Sequence, residues 1–349
     1  MTRIAAITCV KNEGPFLVEW IAYNRIIGVT DFIFYWNDCT DGTELLLEQL
    51  KVHGIVQHRP NPAKGRNYQM GALRDSYNRR LVKLAHWRWI ADVDEFLNIH
   101  VGNGTIPELI EACGNPMAIS IPWQFMANGG VEPFVDEPVI AQFTKTHDPN
   151  LWALSGDMEV KTLVHRDFPL DLPRVHRPFV RAGTPEEDVG LWTDASGREV
   201  PKRFKMTGAD KPIRALRARG SRELATLNHY ALRSMESYLV KNRRGDVNRE
   251  DRAFDTSYWQ DRNDPARDDD SILSKLPRLR AEMDRLLALD GVRELHEASV
   301  AAHKQSIAEM RAGGEAAELL AAIKGAPSLP RGEAAFLSRL GQSVSVGAS

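Results

Sequence analysis

Cysteine is scarce: Cys9, Cys39 and Cys113 are the only three in 349 residues. An odd number without metal-ligand spacing leaves no disulfide framework and no zinc cage, and fits free thiols in a cytoplasmic setting. Long apolar runs are missing too. The opening MTRIAAITCVKNEG turns polar at Lys11, Asn12 and Glu13, too soon for a signal-peptide core, and no later stretch could span a bilayer. An excess of one charge is also absent. Forty-five basic residues against 47 acidic give a formal net charge of −2, no electrostatic reason to expect a nucleic-acid partner. There is no internal repeat, no G-x-G-x-x-G and no G-x-x-x-x-G-K-[ST] phosphate loop.

What remains is a chain with 43% hydrophobic and 26% charged residues, enough for one large or two ordinary domains. Its first hundred residues alternate between two periods. Apolar or aromatic runs at 3–10, 31–36, 55–59 and 87–92 read as strands. Between them, 14–27, 43–53 and 67–85 have helical spacing, with Asn12 and Asp41 as caps and Gly28 and Gly54 as stops. Such alternation predicts a mostly parallel sheet with helices on both faces. Ligands bind such sheets beyond the carboxyl ends of the strands, where Lys11-Asn12-Glu13, Asn37-Asp38, Arg59 and Asp92-Asp94-Glu95 fall. Further on, 117–125 and 159–166 read as strands, and 181–222 as a long loop or flap. From about 271 to 340 an Ala/Glu/Leu-rich pattern predicts helices packed on the rest, without metal ligands; an apolar face left open there would allow a homo-oligomer.

The stretch WRWIADVDEFLNI sets the problem. Asp92, Asp94 and Glu95 crowd three carboxylates at the end of a buried strand, which is costly without compensation. In Asp-x-Asp the two side chains share a face and can hold a hard divalent cation with diphosphate oxygens and water completing its shell. A solvated acidic turn capping the next helix is the plainer alternative. The position at the strand edge favours the cation, with Mn²⁺ or Mg²⁺ as cofactor.

Several motifs then occur in order. They are Cys9-Val10-Lys11-Asn12-Glu13 with Glu19-Trp20, Asn37-Asp38-Cys39-Thr40-Asp41-Gly42-Thr43, and Asp92-Val93-Asp94-Glu95-Phe96. Ile121-Pro122-Trp123-Gln124-Phe125, Glu159-Val160-Lys161-Thr162 and Asn228-His229-Tyr230 with Ser234, Glu236 and Lys241 follow. Over roughly residues 4–245 the chain resembles family-2-like glycosyltransferases of the GT-A fold. It departs from them at Met126-Ala127-Asn128-Gly129, where glycine and serine are expected after Phe125.

The resemblance implies an α/β, GT-A-like domain over 1–260 and a helical extension over 261–349. It implies metal-dependent, inverting transfer from a nucleotide-diphospho-sugar, a UDP-sugar favoured, to a glycan, polysaccharide or other hydroxyl acceptor. It places Asn12, Glu13 and Asp38 near base and ribose, Asp92 at ribose or a metal-bound water, and Asp94 on the metal. Arg74, one turn past Met70, is a nucleotide candidate. His229 is a candidate ligand to the same metal, with His176 as its competitor, and Lys241, Arg243 and Arg244 before Gly245 could close over a diphosphate. Asp157 and Glu159 are the candidate general bases, and Trp123 and Trp152 could stack on a sugar. Two other classes compete. One is a non-catalytic nucleotide-sugar or glycan-binding relative. The other is a phosphohydrolase with Asp92 as nucleophile and Asp94 as acid, which the position after the fourth strand disfavours.

Overall fold

A computed structural model of the protein describes residues 2–64, 67–148, 159–171, 173–208, 216, 221–245 and 255–339. Its first half follows the alternating periods. Strand β1 (Ile4–Val10) leads to α1 (Gly14–Ile26), β2 (Asp31–Trp36), α2 (Thr43–Val52) and β3 (Gln57–Pro60). Then come α3 (Tyr68–Ser76), α4 (Arg80–Leu84) and β4 (Trp87–Ile90). These four strands are parallel and lie in the order β3-β2-β1-β4.

Local chemistry departs from expectation at two places. The single helix expected over 67–85 is two. Asn78 folds its amide back onto the Arg74 carbonyl at 3.1 Å, and Arg79 takes extended backbone before α4. Asn12 does not cap α1, because it sits in the left-handed region at φ 50° and its side chain holds Thr40 instead. Asp41 serves both helix starts: its carboxylate accepts from the Gly14 N–H and from the Thr43 N–H, each at 3.0 Å.

The second half turns the sheet mixed. Strand β5 (Glu95–Ile99), α5 (Ile106–Ala112), β6 (Ala118–Phe125), α6 (Val139–Gln142) and β7 (Lys145–Thr146) precede β8 (Val160–His165). After β8 come β9 (Trp192–Asp194), α7 (Lys202–Met206), β10 (Ala225–His229) and α8 (Met235–Arg244). The sheet continues β4-β8-β6-β10-β5, with β8 antiparallel to both its neighbours and β10 parallel to β6. The expected loop at 181–222 holds β9, which pairs with β6, and α7; Trp192 and Phe204 there pack with Phe168. Weak periodicity hid a strand of only three residues.

The C-terminal part is helical. Helix α9 (Thr256–Gln260) and strand β11 (Arg267–Asp268) lead to α10 (Leu276–Leu287), α11 (Val292–Ala312), α12 (Glu315–Lys324) and α13 (Arg331–Arg339). Helices α10 and α11 lie on α1, and Leu279, Leu286 and Val292 join the main core. The approach of α11 needs glycine at residue 14, where a Cβ would stand 2.5 Å from Ser299 Oγ.

One buried carboxyl ties α1 to the middle of the chain. Glu19 accepts from the Val139 and Ile140 N–H groups at 2.8 and 3.2 Å, and burial pushes its pKa up to about 7. An unfolded chain releases this proton near the ordinary 4.5, so stability falls as pH rises from there to about 7. Glu19→Gln, which cannot ionise, should therefore gain stability relative to wild type as pH rises from about 5 to about 8, read by urea denaturation. A constant difference across that range would show that Glu19 carries no such linkage.

Candidate active site

At the carboxyl edge of β1 and β4 the expected residues converge, and the protein's own cations compensate the carboxylates. Lys161 is fully buried on β8, with its ammonium 2.9 Å from Asp92 Oδ2 and 3.3 Å from Glu95 Oε2. Burial works against that charge, but Asp92 and Glu95 hold the Lys161 pKa above its usual range. Glu95 also accepts from the Trp123 indole N–H at 2.8 Å and from the Asp92 backbone N–H at 2.9 Å. Burial, with Asp92 and Asp94 nearby, pushes Glu95 up to about 8 against the pull of Lys161. Gln69 on α3 donates to Asp92 Oδ1 at 3.0 Å.

Asp94 faces the other way. Its Oδ2 accepts from Lys241 at 2.9 Å, and its Oδ1 lies 3.5 Å from His229 Nε2. Burial alone would raise its pKa, yet Lys241 and His229 hold it well below the usual carboxylate range. His229 is also buried, which keeps its pKa low and the ring neutral at pH 7. Trp123 and Phe125 enclose that ring at 4.7 and 5.5 Å.

A third cluster closes the β1–α1 corner. Glu13 pairs with Arg233 at 2.9 Å and with Arg244 at 2.5 Å. Burial opposes its charge, and the two guanidinium groups nonetheless hold its pKa down. Arg244 also donates to the Lys11 and Asn12 carbonyls. Arg233 stands 3.5 Å over the Phe16 ring. A cleft beside this corner is lined by Asn12, Phe16, Arg233, Lys241, Arg244 and His303. Helix α11 thus reaches the site through His303, which burial holds neutral with a pKa near 3.

The remaining candidates are scattered. Asp38 is exposed at φ 48°, beside the Asn37 amide. Arg74 is exposed on α3, and Arg243 turns away to Glu309 on α11. Glu159 is half-buried, 3.6 Å from His176, whose ring meets Trp123 edge-on. Asp157 and Trp152 lie outside the described residues. Among the described residues no three His, Cys, Asp or Glu side chains gather as a metal cage. Asp94 and His229 come together, while Asp92 turns to Lys161 and Gln69.

Sequence reasoning gave no role to Lys161, Arg233 or Gln69. Lys161 had a signal. A lysine inside the apolar run EVKTLVH must either emerge to solvent or meet a buried acid, and three acids were already in view.

Residues 6–152 match the model of glycosyltransferase family 92. This part of the chain is similar to that family. No curated protein matches the chain. Among solved structures, it is similar to S. aureus TarS 1–349 in complex with UDP at 9% identity, over 48% of each chain, with a TM-score of 0.29. The chain thus spans about half the length of that protein. It is similar to S. aureus TarS 1–349 without that ligand at 9% identity, over 90% of this chain and 92% of that one, with a TM-score of 0.31. The mannosyltransferase PcManGT from Pyrobaculum calidifontis, in complex with GDP-Man and Mn²⁺, matches at 14% identity over 98% and 88%, with a TM-score of 0.28.

Removing the cation from between two acids should be costly. Lys161→Met is expected to lose about 3–5 kcal/mol in urea denaturation, because Asp92 is left without its buried counter-charge and Glu95 must hold its proton. Adding Glu95→Gln should recover roughly 1–2 kcal/mol. Independent, additive effects of the two changes would refute the coupling.

Proposed function

We propose that the protein transfers a sugar, with inversion, from a nucleotide-diphospho-sugar to a hydroxyl acceptor, a glycan or polysaccharide in the first instance, with help from a divalent cation. The observation that carries this is the meeting of Asp94, His229 and Lys241 at the carboxyl edge of the sheet, within reach of a domain of the glycosyltransferase type. The donor set suits the metal. A carboxylate oxygen and a neutral imidazole nitrogen stand 3.5 Å apart, so one ion could take both and leave its other positions to phosphate oxygens and water. Asp94 and His229 would hold Mn²⁺ or Mg²⁺, which supplies Lewis-acid stabilisation of the departing diphosphate.

The chain's own residues do the rest. Lys241, anchored by Asp94 and the Ala231 carbonyl, presents a fixed positive charge to the phosphates. Arg244 shapes the β1–α1 loop against which Asn12, Glu13 and Asp38 would meet base and ribose, and a uridine base is favoured by the resemblance. Asp92 is held by Gln69 and Lys161, in place for a ribose or water contact. For inversion, the acceptor oxygen bonds to the anomeric carbon from the face opposite the leaving diphosphate as that carbon–oxygen bond breaks. Glu159, oriented beside His176, would take the hydroxyl proton; Asp157 is the other candidate base. Among the described residues no helix is long and apolar enough to cross a membrane, and a cytoplasmic placement rests on the three free cysteines. An oligomer through the C-terminal helices is part of the same reading.

Calorimetry with UDP or GDP, with and without Mn²⁺, tests the proposal, followed by a nucleotide-sugar hydrolysis screen. Metal-dependent binding and turnover are expected. Asp94→Asn should lower turnover roughly a hundredfold or more, and Asp92→Asn less. Nucleotide binding indifferent to metal, or an Asp94→Asn variant with full activity, would defeat the metal assignment.

A further inference from the structure

A second cation stands at the site with no paired acid among the described residues, on a segment that none of the sequence motifs reaches. Arg262 lies two residues past the end of α9. Its guanidinium carbon lies 3.7 Å from the centroid of the Tyr258 ring and 5.1 Å from that of Phe125. One terminal nitrogen donates to the Tyr258 carbonyl at 3.3 Å, while Nε is buried with no hydrogen-bond partner among the described residues. No described carboxylate lies within ion-pair distance of it.

Its position joins it to the centre already described. Phe125, beneath Arg262, also touches His229 at 5.5 Å. Tyr258, on its other side, lies 5.6 Å from the Lys241 ammonium. Two cations therefore flank one tyrosine; Lys241 is matched by Asp94, and among the described residues no acid pairs with Arg262. Among the described residues, Arg262 is therefore a positive charge at this part of the site with no paired acid. Gln260 and Asp261, next to Arg262, are fixed to the C-terminal part: Gln260 donates to the Leu329 carbonyl at 2.9 Å, and Asp261 pairs with Arg331 at 2.5 Å. Arg262 thus stands on an anchored platform, its charge spread between two aromatic faces, where little rotamer freedom is left to lose.

We propose that Arg262 is a binding residue for the distal phosphate of a nucleoside diphosphate, acting beside Lys241 and distinguishing diphosphate from monophosphate. The inference rests on the donor reading above and goes beyond it in assigning a phosphate contact to the C-terminal segment. A planar fork with unfilled donors suits a phosphate better than a neutral sugar hydroxyl. Negative charge gathers on the distal phosphate as the sugar leaves, so a cation with no paired acid among the described residues is useful on that side.

The test is a set of calorimetric titrations in Mn²⁺ with UDP, UMP, GDP and GMP, on wild type and Arg262→Gln. Diphosphate affinity is expected to fall about ten- to a hundredfold, with monophosphate affinity unchanged within about twofold. An unchanged diphosphate affinity, or equal losses for both, overturns the assignment while leaving the donor reading intact. Wild type that binds none of the four overturns both. If Arg262→Gln fails to melt cooperatively, the same ratio is read on Arg262→Met, whose stem keeps its packing on Tyr258; a loss confined to the diphosphate supports the proposal, and any other pattern overturns it.

Discussion

The buried ammonium of Lys161 is what lets this chain place three carboxylates at the end of a core strand. Asp92 and Glu95 approach it from the two sides of the turn after β4, while Lys161 comes from β8, which lies antiparallel to β4. The strand pairing and the ion pairing therefore depend on each other. Without β8 in register the lysine could not reach the turn, and without the lysine the turn could not be buried. Trp123 of β6 adds its indole N–H to Glu95, so the neighbouring strands β6 and β8 meet at one carboxylate from β5. Such a network fixes geometry more than it adds stability, because the charges must first be stripped of water.

With Asp92 and Glu95 held in that way, Asp94 is free to turn outward to Lys241 and His229. The D-x-D-E stretch divides its partners: Asp92 and Glu95 share Lys161, and Asp94 between them pairs with Lys241 and His229. The β1–α1 corner repeats the logic with reversed signs, since one acid, Glu13, there holds two cations, Arg233 and Arg244. Both clusters draw on the stretch around α8, which links the end of β10 to the β1–α1 corner.

The C-terminal segment is bound into this arrangement instead of trailing from it. Asn263 accepts from the Asn128 N–H at 2.8 Å, β11 pairs with β7, and Lys275 donates to Asn98 and the Ile99 carbonyl at 2.8 and 2.9 Å. Helix α11 brings His303 to the cleft, and α9 brings Tyr258 and Arg262 beside Lys241 and Phe125. Helices that read as a separate amphipathic unit thus complete the walls of the site.

Periodicity made the first half legible. Continuous apolar runs against 3.6-residue spacing identify β1 to β4 and their helices, because those patterns report which faces are buried whatever the partner. Asp94, His229 and Lys241 were also readable as candidates, since the chemistry of a carboxylate, an imidazole and an ammonium is intrinsic to each residue. Pairings were not. Whether Asp92 faces a metal or Lys161 depends on β8 crossing beside β4 some seventy residues later, and no local pattern encodes which strand becomes a neighbour. Arg262 was invisible for the same reason: beside Asp261 and Asp264 it reads as a solvated charge. Only the packing of α9 against the C-terminal helices, with Phe125 brought beneath by the sheet, sets it between two aromatic rings with no paired acid among the described residues. Local sequence sets what each side chain can do; long-range strand order and helix docking decide what it meets, because electrostatic energy depends on separations that the chain closes only when folded.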